Sequence, residues 1–170
     1  MNDPVLDAVR PADETELDEL ARLWFHGWQD AHAAIVPADL TRARTVESFA
    51  QRLGDLLLDT RVVGPIGSPV GFCIVKDDEL YQLFVAAKAR GSGIAAALIA
   101  DAERVLADRG VRTAWLACAI GNERAARFYE KCGWRRSGTI ISQLETQAGV
   151  IPLEVWRYEK DMVRRVSPLG

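Results

Sequence analysis

The chain has only 2 histidines and 3 cysteines among its 170 residues, and neither type clusters. A metal centre generally needs three or four ligands held together, so His26 and His32 make no site and no metal is expected. Cys73, Cys118 and Cys132 are odd in number, far apart and without a C-x-x-C. They read as buried free thiols, a usage that suits a reducing cytoplasm. No apolar run approaches the ~18–20 residues of a membrane span. The polar, acidic start Met1-Asn2-Asp3-Pro4 is unlike a signal peptide. Basic excess is lacking too: the formal net charge of −3 argues against a general nucleic-acid binder. There is no internal repeat and no low-complexity segment. A composition of 49% hydrophobic and 26% charged residues then leaves a globular chain, long enough for one well-buried domain over residues 1–170 and short for two.

Leu6 to Arg10 reads as a first strand. Asp13 caps the next helix, with Glu16 placed to close a capping box. Leu17, Leu20, Trp24 and Trp28 give that helix one apolar face. Pro37 interrupts the pattern, and a second helix is expected from about Val46 to Leu58. Arg61–Val63 and Val70–Lys76 read as a hairpin, followed by a strand over Glu79–Val85. A helix over Ile94–Arg109, a strand over Thr113–Ala119 and a helix from Asn122 come next. Two late strands are expected near Arg136–Leu144 and Pro152–Lys160. The order β α α β β β α β α β β implies an α/β fold with a largely antiparallel sheet, parallel where the chain crosses through a helix.

Arg90-Gly91-Ser92-Gly93-Ile94-Ala95 is the most informative stretch. Strand, glycine-rich turn and helix together present bare backbone N–H groups, with partial positive charge, to a phosphate. Arg90 adds a full charge at the mouth of the turn. The stretch lacks both the third glycine of a dinucleotide fingerprint and the Lys-Ser/Thr of a P-loop. A second segment lies downstream, from Asn122-Glu123-Arg124-Ala125 to Phe128-Tyr129 and Gly133-Trp134. There Asn122 suits an N-cap, Gly133 suits a C′ position, and Ala125, Phe128 and Cys132 form an apolar stripe.

The two segments resemble the R/Q-x-x-G-x-G/A and N-x-x-A-x-x-x-Y-x-x-x-G-F signatures of the GNAT superfamily of N-acetyltransferases, with Trp134 in place of Phe. The resemblance covers residues 60–135 well and the N-terminal part loosely. It implies the GNAT fold: a mixed, mostly antiparallel sheet with helices on both faces, splayed between its fourth and fifth strands, Glu79–Val85 and Thr113–Ala119. It also implies acetyl-CoA as co-substrate. The pyrophosphate would be held by Arg90, Gly91, Ser92, Gly93, Ile94 and Ala95. The pantetheine arm would meet the backbone of Phe84 and Val85 and the side chain of Asn122.

Acetyl transfer needs a held thioester, a neutral amine and a proton or stabilising group for the departing thiolate. The resemblance gives the last role to Tyr129. Glu79 is the candidate base, and strand alternation would place it on one face with Tyr81, Leu83 and Val85. Asp77-Asp78-Glu79 also reads as a solvated acidic turn. His32 lies in the region that lines the acceptor pocket in this family, yet reads as a surface or capping histidine. Trp28 to Pro37 loosely resembles the W-x-x-a-Y-x-x-I-x-P segment of some bacterial relatives, with His32 in place of the tyrosine.

The expected activity is direct transfer from acetyl-CoA to a primary amine, small-molecule or peptide, in a ternary complex. An acyl-CoA-sensing module with the same fold is the alternative, and a nucleotide-binding domain with a chance glycine turn is a third. No nucleic-acid or membrane partner is expected, and a homodimer is expected only by resemblance. The acceptor pocket would come from the first two helices and the loop around Thr146–Ile151, where the motifs say nothing.

Overall fold

Alternating and helical apolar patterns build a sheet covered on both faces. The computed structural model describes residues 8–163. In chain order the elements are β1 (Val9–Pro11), α1 (Leu17–His32), α2 (Ala38–Ala43), α3 (Val46–Leu56), β2 (Thr60–Val63), β3 (Gly71–Lys76) and β4 (Glu79–Val85). They continue with α4 (Ile94–Asp108), β5 (Thr113–Ala119), α5 (Glu123–Lys131), β6 (Arg135–Thr146) and β7 (Gly149–Asp161). The strands form one sheet in the order β1-β2-β3-β4-β5-β7-β6. Every neighbouring pair is antiparallel except β4–β5.

Two cores lie on opposite faces. On one, Leu20, Trp24 and Trp28 of α1 and Phe49 and Leu53 of α3 pack against Phe72 and Ile74 of β3. On the other, Leu98, Ala102 and Leu106 of α4 and Ala126 of α5 pack against Cys73, Val75, Leu116 and Tyr158. β3 is thus buried on both sides, and its Gly-Phe-Cys-Ile-Val run reads as a continuous apolar stretch for that reason.

Several expectations shift. The strand expected from Leu6 is Val9–Pro11; Leu6 lies outside the described residues. Pro37 does not leave a plain loop. It occupies the cap position of a short extra helix, α2, because a proline cannot continue one helix but readily precedes another. Thr45 then caps α3 by accepting from the Ser48 N–H at 3.1 Å. The capping box at Asp13 and Glu16 forms, but on the short 3-10 turn Glu14–Glu16 that precedes α1. Glu16 is wholly buried there and receives both arms of Arg10, at 2.6 and 2.9 Å, which fastens β1 to α1. β6 and β7 run longer than expected and meet at a tight turn, with Thr146 opposite Gly149. On α5 the deepest side chain is Ala126, while Ala125, Phe128 and Cys132 of the expected stripe are half-buried around it.

β4 carries a bulge. Ile74 of β3 pairs with Gln82, but Val75 pairs with Leu80, so Tyr81 is an extra residue. A bulge reverses the alternation beyond it. Tyr81 and Phe84 therefore join the core under α1 and α3, while Leu80, Leu83 and Val85 join the core under α4. The expectation that Glu79, Tyr81, Leu83 and Val85 share one face fails at this point.

Candidate active site

β4 and β5 run parallel but pair at one position, Glu79 with Trp115. Beyond it they diverge. The backbone groups of β4 toward Val85 then have β3 on one side and no strand partner on the side of β5. A cavity of about 690 Å³ runs through the splay, with walls from both cores. α1 and α3 close one end, α5 the other, and the β6–β7 hairpin covers the side.

Of the expected site residues, Glu79, Phe84, Asn122 and Tyr129 line this cavity. Val85 does not, and the turn Arg90–Ala95 lies outside the lining. Asn122 caps α5 by accepting from the Ala125 N–H at 3.3 Å, so its capping role and its place on the cavity wall coexist.

The acidic turn separates into different environments. Asp78 accepts from the Trp115 indole at 3.0 Å and from the Trp115 backbone N–H at 3.2 Å, which ties the turn to β5. Glu79 is half-buried on the cavity wall, and burial pushes its carboxyl up to about 7. A carboxylate that exchanges its proton near neutrality inside a cavity has the property a general base needs. The reading of Glu79 as a merely solvated turn residue does not hold.

Tyr129 sits on α5 with its ring 6.2 Å from that of Tyr158. Burial raises its phenol well above the ordinary value, so it is protonated throughout the physiological range. Tyr129 lines the cavity, and no hydrogen bond of its hydroxyl is found among the described residues. Cys118 is on the same wall, and burial pushes its thiol up to about 12. A thiolate in these surroundings is therefore a strong base.

The glycine turn has the expected conformation. Gly91 and Gly93 are left-handed, with φ of 79° and 87°, and a Cβ placed on either would meet nothing within 4 Å. The requirement for glycine is thus conformational, and the space above the turn is open. α4 begins directly at Ile94, so its first N–H groups have no intrahelical acceptor. An open turn, a free helix N-terminus and an unpaired strand edge fit the phosphates and the amide-bearing arm of a CoA thioester. Arg90 is not wholly free for phosphate: its guanidinium lies 3.6 Å from Asp30 of α1. Both partners are exposed, and such pairs are weak enough to exchange for another anion.

Three wall residues, Arg44, Arg52 and Tyr81, were not expected. His32 lies on the wall, in the region the resemblance gave to the acceptor pocket, and is no surface histidine. Its ring lies tilted against Trp28, with centroids 5.1 Å apart, and meets Phe84 edge-on at 6.4 Å. Its Nδ1 lies 3.2 Å from the Trp28 carbonyl, and burial pushes it down to about 4. Arg44, Arg52 and Tyr81 also line the cavity, at the end formed by α2 and α3. No spacing rule brings Arg44 and Arg52 together, because they belong to different helices. Gly27 of α1 was another silent position. A Cβ there would come within 2.6 Å of the Phe84 ring, so the glycine lets α1 press Phe84 into the wall. Its signal was a lone glycine inside an amphipathic helix.

Among the described residues no group of three His, Cys, Asp or Glu could hold a metal ion, and no helix is long and apolar enough to cross a membrane. The chain matches the family model "Acetyltransferase (GNAT) family" over residues 14–134. It is 36% identical over 115 residues to an uncharacterised N-acetyltransferase of Mycobacterium bovis, covering 63% of this chain and 69% of the relative. In fold it is similar to a GCN5-related N-acetyltransferase from Rhodopseudomonas palustris, with a TM-score of 0.72 and 21% identity over 91% of this chain and 94% of the other. It is also similar to the PaiA N-acetyltransferase of Thermoplasma acidophilum in complex with coenzyme A, with a TM-score of 0.63 and 16% identity over 91% and 98% of the two chains. At such identities these two structures speak for the fold alone.

Proposed function

The chain belongs to the acetyltransferase (GNAT) family, and from that premise we propose that it moves the acetyl group of acetyl-CoA to a primary amine by direct attack while both substrates are bound. The observation that carries this reading is the single cavity through the β4–β5 splay, which collects Glu79 and Tyr129 on its walls. The turn Arg90–Ala95 and the N-terminus of α4 would hold the pyrophosphate. The free edge of β4 at Phe84 and Val85, with Asn122, would align the pantetheine arm.

Bringing both reactants into one cavity removes the need for a covalent enzyme intermediate. Glu79, ionised above about pH 7, accepts the proton that the amine loses. The neutral nitrogen then attacks the acetyl carbonyl carbon, the C–N bond forms and the C–S bond breaks. Tyr129 donates its proton to the departing sulfur and regains one as the attacking nitrogen sheds its second proton to become the amide. An ordinary phenol is a weaker acid than a thiol in water, but the wall that raises Tyr129 also raises Cys118, so a thiolate leaving there gains basicity as well. The products are the N-acetylated amine and CoA with its free thiol.

The test is a panel of primary amines with acetyl-CoA, read by thiol release and by detection of the acetylated amine. Absence of CoA binding by calorimetry would remove the reading altogether. CoA binding without turnover on any amine would favour an acyl-CoA-sensing module.

A further inference from the structure

The α2–α3 end of the cavity contains two guanidinium groups with no carboxylate partner. Arg44 is 5% exposed. Its Nη1 donates to the Glu145 carbonyl at 3.0 Å, which uses one of the five N–H donors an arginine carries. Arg52 lies over the Trp24 ring at 4.4 Å, and its Nη2 donates to the Tyr81 hydroxyl at 2.6 Å. Asp55, Glu79 and Glu145 line the same cavity. Among the described residues none of them, nor any other carboxylate, comes within the 4.0 Å of an ion pair with either arginine.

This arrangement is costly unless something complements it. A buried guanidinium without a counter-charge loses hydration that one backbone carbonyl does not replace. The two cations also oppose each other: burial first, and then Arg52, push Arg44 down to about 10. Arg44 stays charged at neutral pH. Meanwhile the position of Arg52 over the Trp24 ring and its bond to Tyr81 restrain the guanidinium. A planar fork held in advance is what recognises an anionic oxygen group.

We propose that the acceptor amine carries an anionic oxygen group, carboxylate or phosphate, which Arg44 and Arg52 hold at this end of the cavity. The proposal rests on the transferase reading of the cavity and names its substrate class. Tyr81 stands two residues from Glu79 on β4, no more than about 6.4–6.8 Å along the strand. A compact molecule can therefore place its anion on the arginines and its amine toward Glu79. Lys76, over the Tyr81 ring at 5.5 Å, adds positive charge on the same side.

Calorimetry on the CoA-saturated protein reads the site directly. The probes are α-amino acids, their primary amides and aminoalkylphosphonates. Acids are expected to bind at least about tenfold more tightly than the matching amides. Whether carboxylates or phosphonates bind more tightly identifies the anion. Arg52→Lys keeps the charge but loses the planar fork; it should erase most of the preference and leave CoA affinity unchanged. Amides or polyamines binding the wild-type protein as well as the acids, or no anion-dependent binding at all, overturns the proposal. So does a correctly melting Arg52→Lys protein that keeps the full preference. Tight binding of acids without acetyl transfer to any of them would remove the transferase reading and leave the anion site. Transfer to neutral amines alone would do the reverse.

Discussion

Among the described residues, Glu79 and Trp115 form the single paired position between β4 and β5. The two strands are held together there and open beyond it. The Asp78 contacts to the indole and backbone of Trp115 secure the junction. The carboxyl of Glu79 therefore stands where the sheet begins to split, at the entrance of the gap the cavity occupies. The same point that organises the splay supplies the candidate base.

A base with its proton equilibrium near 7 gives a rate that rises with pH through that value. Glu79→Gln should lower kcat by about 10²–10⁴ near neutrality and remove the rising limb. The same substitution carries a stability signature. Because burial raises the folded carboxyl from 4.5 to about 7, its contribution to stability is full below the unfolded value and is lost as pH rises to about 7. Glutamine has no such loss. Melting curves should therefore show Glu79→Gln gaining on the wild type as pH rises from 4.5 to about 7. A parallel pair of stability profiles would place the carboxyl in solvent.

His32 is the competing base on the same wall, and its burial separates the two. Held down to about 4, the imidazole is neutral across the working range and cannot generate a limb near 7. His32→Gln should keep that limb, whatever it does to KM. The sign of its own linkage is opposite: as pH falls from about 6.5 toward 4, the unfolded chain takes up a proton that the folded one resists, so the wild type loses stability over that window and the variant does not. Disappearance of the neutral limb in His32→Gln would transfer the base role from Glu79 to His32.

What the sequence made legible was what local rules determine. The strand–glycine turn–helix at Gly91–Ile94, the cap at Asn122 and the range of β4 follow from residue types within a few positions. The rest depended on long-range geometry. The bulge at Tyr81 reverses the faces of β4, and no alternation rule shows where a strand gains a residue. His32 becomes a wall residue because Phe84, pressed in over Gly27, reaches its ring. Arg44 and Arg52 meet only because α2 restarts after Pro37 and then turns at Arg44 into α3. Each of these is a tertiary relationship between residues whose local patterns are unremarked.

The glycine turn yields a paired test. At about one hundred times its Kd, CoA should stabilise the protein by about 2.7 kcal/mol, a rise in Tm of about 5–11 °C. Gly93 has φ of 87°, so Gly93→Ala alone carries about 1–2 kcal/mol of backbone strain. Gly93→Glu adds bulk and negative charge where the pyrophosphate would lie. Both variants should melt lower by similar amounts without ligand, but only Gly93→Glu should lose CoA stabilisation entirely. Equal CoA binding in the two variants would make the turn structural.

Tyr129→Phe separates chemistry from packing most sharply. The substitution removes one hydroxyl and leaves the ring contact with Tyr158. Because no hydrogen bond of that hydroxyl is found among the described residues, its loss should change the stability by no more than about 0.5 kcal/mol. CoA affinity should hardly change, since the phosphates and the backbone edge of β4 are untouched. The turnover number should fall, by about 10²–10⁴, because the departing sulfur loses its proton donor while ground-state binding remains. If kcat falls only in proportion to a loss of stability, Tyr129 is a packing residue. If kcat is unchanged at saturating acetyl-CoA, in an assay limited by chemistry, the thiolate takes its proton from solvent. Cys118 supplies an internal comparison: its thiol is on the same wall and raised to about 12, so Cys118→Ala should leave the turnover number near that of the wild type. A drop as deep as that of Tyr129→Phe would give the donor role to the thiol instead.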